Sequence, residues 1–127
     1  MEKYDIQRFI KAQEQSYDGY KQALSEIQQG RKTSHWIWYI FPQMKGLGKS
    51  ELSQTYGITW RDEAEAYIVH PILRERLVEI SEAVLNNEKS VYDIFGNDAI
   101  KVRSCILLFE SVCDIPVFKQ LKSKYRW

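Results

Sequence analysis

Residues 30–50, GRKTSHWIWYIFPQMKGLGKS, gather the residue types that hold a charged small molecule. Arg31 and Lys32 stand just before Ser34, and Lys49 stands before Ser50. Ser34 reads as the N-cap of the apolar segment HWIWYIF, and Ser50 as the N-cap of ELSQTY. A helix N-terminus leaves backbone N–H groups unpaired and carries a partial positive charge, so each basic cluster lies beside donors that favour an anion. Arginine adds planar, bidentate recognition of phosphate or carboxylate. Trp36 and Trp38 offer their rings to the core or to a stacked ligand. Gln43 either braces the loop or contacts a ligand, and Gly46 and Gly48 suit turn positions of positive φ. His35 is the candidate acid or base of the stretch, its alternative being a structural hydrogen bond.

GLGKS at 46–50 invites comparison with a P-loop, but the spacing fails, since the first glycine of that motif would fall at Gln43. What survives is a glycine turn, a lysine and a capped helix start. Further along, IFGNDAIKVRS sets Lys101 and Ser104 three apart, with Asp98 one turn earlier. They form either a second basic and hydroxyl pair for the same pocket or an exposed charged face. No carboxylate pair lies near 30–50, and there is neither a CxxC pair nor an HExxH. Metal and cofactor are therefore not expected. Cys105 and Cys113, eight apart on one helix, would stand about 12 Å from each other, too far for a disulfide.

The elements that position these residues read as helices. From Asp5 to Gln29, Ile6, Phe9, Ile10, Tyr17, Tyr20, Leu24 and Ile27 recur at helical spacing, with Gly19 bending or splitting the helix and Gly30 ending it. HWIWYIF is apolar all round, which implies burial, and Pro42 stops it. Asp62 and Glu65 stand at capping-box spacing in RDEAEAYIVH. Pro71 suits a first turn, and Leu73, Leu77, Ile80 and Val84 line the helix it opens. Ser90 caps a short VYDIF turn ended by Gly96. Asn97 or Asp98 starts a helix to about Val112 with Ile100, Leu107, Leu108 and Val112 on or near one face, and Asp114 with Pro116 starts the last helix. TYGITW is the one stretch with any strand character. The expectation is a single all-α domain, residues 1–127, of seven or eight helices, several of them short.

Composition agrees with this picture: 127 residues suit one core, and 44% hydrophobic with 28% charged residues is ordinary for a globular chain. A net charge of +1 argues against a general nucleic-acid binder. MEKYDIQRFIKAQ is charged throughout, unlike a signal peptide or a membrane span, so a cytoplasmic location without membrane attachment is the expectation.

The residues also carry a family resemblance. F-x-x-A-Q at Phe9 to Gln13, then Tyr17, AL-x-EI-x-x-GRK-x-SHW-x-W-x-IFPQ-x-x-GLG-x-S, EA-x-AY-x-x-HP-x-L-x-x-RL, and IFG with K-x-x-S and LF downstream resemble the DUF1810 family, whose fold is also called Rv1873-like. The resemblance spans Phe9 to about Phe118 and implies a mainly helical fold without implying an activity.

Two functions follow from the residues. One is a polar pocket, with or without catalysis, for an anionic, nucleotide-like or phosphate-bearing small molecule. In it Arg31, Lys32, Lys49 and Lys101 supply charge, Ser34, Ser50, Gly46 and Gly48 shape the frame, Trp36 or Trp38 stacks, and Gln43 and His35 do the polar work. The other is a protein-interaction module that uses the same aromatic and basic stretch as an exposed face.

Overall fold

The computed structural model describes residues 3–127. Its first two helices, α1 (Gln7–Gln13) and α2 (Tyr20–Gln28), are separated at Gly19, where a Cβ atom would lie 2.2 Å from the Gln15 carbonyl oxygen. Only glycine lets the chain double back so tightly. α2 ends in a Schellman turn: Gly30 adopts φ +87, its N–H donates to the Ile27 carbonyl, and the Arg31 N–H donates to that of Glu26.

The helices that follow are α3 (Ile37–Ile40), α4 (Glu51–Tyr56), α5 (Arg61–Val69), α6 (Pro71–Leu85), α7 (Val91–Phe95), α8 (Ala99–Val112) and α9 (Pro116–Tyr125), with a 3-10 turn at Gly96–Asp98. Ser50 and Ser90 cap α4 and α7, each accepting the N–H three residues on, at 3.2 Å. Pro71 opens α6, with His70 Nδ1 accepting the Ile72 N–H. TYGITW contributes one isolated parallel bridge, Met44 to Ile58, and the described residues contain no sheet.

α8 packs on α5 and α9, and α6 packs on α5, α9 and α2. One apolar core runs through all of them, with Phe9, Tyr67, Phe109 and Phe118 in successive ring contact at 5.0, 5.2 and 6.2 Å. A second aromatic group, Trp36, Phe41 and Phe95, meets at 5.6 to 6.3 Å, and all four residues of α3, between Trp36 and Phe41, are buried.

Several local expectations are corrected. Ser34 does not cap α3, which starts later with Trp36 at the N-cap position. Asp62 and Glu65 form no capping box. Instead, buried Glu63 reaches back to the Thr59 N–H at 2.7 Å and pairs with Arg8 at 2.9 Å. Asp98 and Asp114 make no cap hydrogen bond, because their carboxylates bind lysines. The buried face of α8 is Ala99, Val102, Cys105, Ile106 and Phe109, while Ile100 is exposed. Lys101, Arg103, Ser104, Glu110 and Ser111 all lie off that stripe, so the helical period does mark the inward face, which Ile100 and Leu107 do not share.

Candidate functional site

The 30–50 stretch is organised around an acid that lies outside it. Glu26, on the same stripe of α2 as Ala23 and Ile27, is buried, and its carboxylate accepts from the Thr33 N–H (2.8 Å), the Ser34 N–H (3.0 Å), the Ser34 hydroxyl (2.6 Å) and the Trp36 indole N–H (3.0 Å). Gln22 adds a fifth donor at 3.0 Å and also reaches Ser34 Oγ. Burial alone would raise the Glu26 pKa, but these donors outweigh it and hold the group down at about 2. Two backbone donors and a hydroxyl at the start of the 30–50 stretch thus serve an internal carboxylate.

A second carboxylate gathers the lysines. Asp98 pairs with Lys32 and Lys101, one oxygen to each, both at 2.9 Å. Lys32 Nζ also donates to the Ser34 carbonyl and lies 5.1 Å from the Trp36 ring centroid, and Lys101 Nζ lies 5.4 Å from that of Trp38. Burial works to raise the Asp98 pKa, and the two ammonium groups overcome it to leave the net shift downward.

Lys32, Ser34, Trp36, Trp38 and Lys101 are therefore brought together, as a clamp over the second aromatic group. Gly48 belongs with them for a reason other than positive φ: a Cβ there would lie 2.7 Å from the Trp38 ring. Gly46 does adopt positive φ, at +100. Gln43 is buried, its backbone carbonyl accepts from the Ile58 N–H at 2.8 Å, and its side-chain Nε2 has no partner among the described residues. Arg31, His35, Lys49 and Ser50 are exposed, and the side chains of Arg31, His35 and Lys49 make no hydrogen bond or ion pair among the described residues. Trp36 and Trp38 are 0% and 7% exposed, so the stretch presents no indole face to a partner.

A concavity lies elsewhere, between the α1–α2 turn, α2 and α6. It is a cleft of about 780 Å³ whose walls include Gln13, Tyr20, Gln22, Leu24, Arg76 and Glu79. Gln13, buried on the inward stripe of α1, donates through Nε2 to the Tyr39 carbonyl (2.8 Å) and the Tyr67 hydroxyl (3.1 Å), and its Oε1 accepts from Arg76 Nη1 at 3.2 Å. Arg76 Nη2 meets Glu14 at 3.5 Å and its guanidinium faces the Tyr20 ring at 5.7 Å. The Tyr20 hydroxyl donates to Glu79, and burial together with that carboxylate pushes its pKa upward. Gln22 joins the two regions, since it lines the cleft and also binds Glu26 and Ser34.

Sequence reasoning missed Glu26, Gln13 and Glu63. The signal for each was a polar residue on an otherwise apolar helical stripe, where an unpartnered group would be costly. Among the described residues no three His, Cys, Asp or Glu side chains are grouped so as to hold a metal ion, and no helix is long and apolar enough to cross a membrane.

No curated protein matches the chain. Its structure is similar to the crystal structure of the conserved hypothetical protein Rv1873 from Mycobacterium tuberculosis, with 38% identity, a TM-score of 0.90, and coverage of 98% of this chain and 89% of that one. The helices, the clamp and the cleft-forming segments all lie within residues 3–126, which match the family described as a protein of unknown function, DUF1810, and the chain belongs to that family.

Proposed function

We propose that this protein binds a small molecule bearing a carboxylate or phosphate in the cleft between α2 and α6, with Arg76 as the anion-binding group. The observation that carries the reading is convergence: Gln13, Tyr67 and Arg76 come from three separate segments and form one hydrogen-bonded set, of which Gln13 and Arg76 line the cleft and Tyr67 lies buried behind them. Such a cleft, with fixed polar groups among apolar walls, is where ligands are held. Gln13 fixes one edge of the guanidinium, and the other edge is held only by the mostly exposed Glu14 at 3.5 Å, a partner that a ligand's oxygens can replace. The anionic ligand class inferred from 30–50 is kept, and its place moves, because the Thr33 and Ser34 amides and the Ser34 hydroxyl are taken by Glu26 and Lys32 is held by Asp98. An interaction module built on Trp36 and Trp38 has no support from their burial.

The test is the melting temperature of the protein against nucleotides, sugar phosphates and carboxylate metabolites, for wild type, Arg76→Gln and Arg31→Ala. A ligand that binds only the folded state raises its stability. One compound class should stabilise wild type and Arg31→Ala and leave Arg76→Gln unchanged. A response lost in Arg31→Ala and kept in Arg76→Gln would return the site to the 30–50 face. Silence across the whole panel would overturn the reading.

A further inference from the structure

The cleft's charges narrow the ligand further, provided that the cleft is the binding site proposed above. Ile72, Glu75, Arg76 and Glu79 share one face of α6, and all four line the cleft. Glu75 and Glu79, one turn apart, repel each other on the helix, and Arg76, three residues before Glu79, is the one cation on that face. Glu75 has no hydrogen bond or ion pair among the described residues, and Glu79 uses one carboxylate oxygen for the Tyr20 hydroxyl, leaving the other without a partner there. Glu14 adds a third carboxylate, against the two cations Arg76 and Lys21. A ligand that is only an anion would meet Arg76 with three carboxylates around it, and a ligand that is only a cation would meet Arg76 and Lys21.

We infer that the cleft selects a small zwitterion of the α-amino acid type. Its carboxylate takes the Arg76 edge now held by Glu14, and its ammonium group binds the open oxygen of Glu79, with Glu75 adding attraction. Residues three apart on a helix place their Cβ atoms about 5–6 Å from each other, which lets one short ligand reach both Arg76 and Glu79. Leu24 and Ile72 supply the apolar wall for its side chain.

The experiment follows backbone amide resonances of the full chain titrated with pools of the standard amino acids. The best member is then compared with its decarboxylated amine and its deaminated acid. Shifts should concentrate in residues 13–24 and 72–79, and the zwitterion should bind at least tenfold more tightly than either singly charged analogue. Arg76→Lys and Glu79→Gln should each weaken it at least tenfold, the latter while keeping an acceptor for Tyr20, with folding checked from the spectrum. If the acid alone binds as well as the zwitterion, or only phosphate compounds shift these residues, the zwitterion inference falls while the cleft stands. If no amino acid, phosphate or carboxylate compound shifts them, both fall.

Discussion

The Trp36 indole N–H donates to the Glu26 carboxylate at 3.0 Å, so a buried acid on α2 fixes the tryptophan that starts α3. The same carboxylate takes two consecutive backbone N–H groups, and the loop between the helices is therefore folded around a charge supplied by the chain itself.

Replacing Glu26 should be costly. Glu26→Ala leaves the Thr33 and Ser34 amides and the Trp36 indole without their acceptor, and the expected loss is about 3 kcal/mol. Glu26→Gln, which keeps one acceptor oxygen, should lose less. Urea midpoints measure both, and indole fluorescence shows whether Trp36 has become exposed.

Acid should remove this contribution in a defined window. The folded-state pKa of Glu26, about 2, lies below its ordinary value of 4.5, so the unfolded chain binds the proton more readily. The stabilisation is complete above the ordinary value and is lost as pH falls from there toward the folded value. Stability measured across that interval should drop more steeply for wild type than for Glu26→Gln; equal slopes would contradict this account.

The two lysines on Asp98 should differ in weight. Lys32 is 10% exposed and Lys101 34%, so Lys101→Met is expected to cost less than about 1 kcal/mol. Asp98→Ala leaves the enclosed Lys32 ammonium without its carboxylate and should cost about 2 kcal/mol or more. A double-mutant cycle between Lys32 and Asp98 against one between Lys101 and Asp98 reads the difference directly.

Gly48 and Gly46 should fail for different reasons when changed to alanine. At Gly48 the new methyl meets the Trp38 ring, an overpacking cost of about 2 kcal/mol accompanied by a change in tryptophan emission. At Gly46 nothing lies within 4 Å, so only the positive φ opposes the change, at about 1 kcal/mol with emission unaltered. Thermal unfolding followed by fluorescence separates the two.

The sequence alone determined most helix ends and the buried face of α6. Gly30, Ser50, Pro71, Ser90 and Gly96 act through hydrogen bonds and dihedral preferences within a few residues, and Leu73, Leu77, Ile80 and Val84 repeat at a spacing that only one helical face satisfies. It also grouped Lys32, Ser34, Trp36, Trp38, Gly48 and Lys101 with Arg31, His35, Gln43, Gly46, Lys49 and Ser50 as one candidate set; the structure links the first six through Asp98 and the Trp38 ring and leaves Arg31, His35, Lys49 and Ser50 exposed. Tertiary packing decided what they do. Whether the amides near Ser34 meet a ligand or a carboxylate depends on α2 lying against the loop, since Glu26 is seven and eight residues away from them and reaches them only through the Schellman turn at Gly30. The cleft was invisible for the same reason: Gln13 and Arg76 are sixty-three positions apart, and their 3.2 Å contact exists only once α1 and α6 are packed. Short-range chemistry is written in local order, whereas the partner of a buried charge is chosen by the fold.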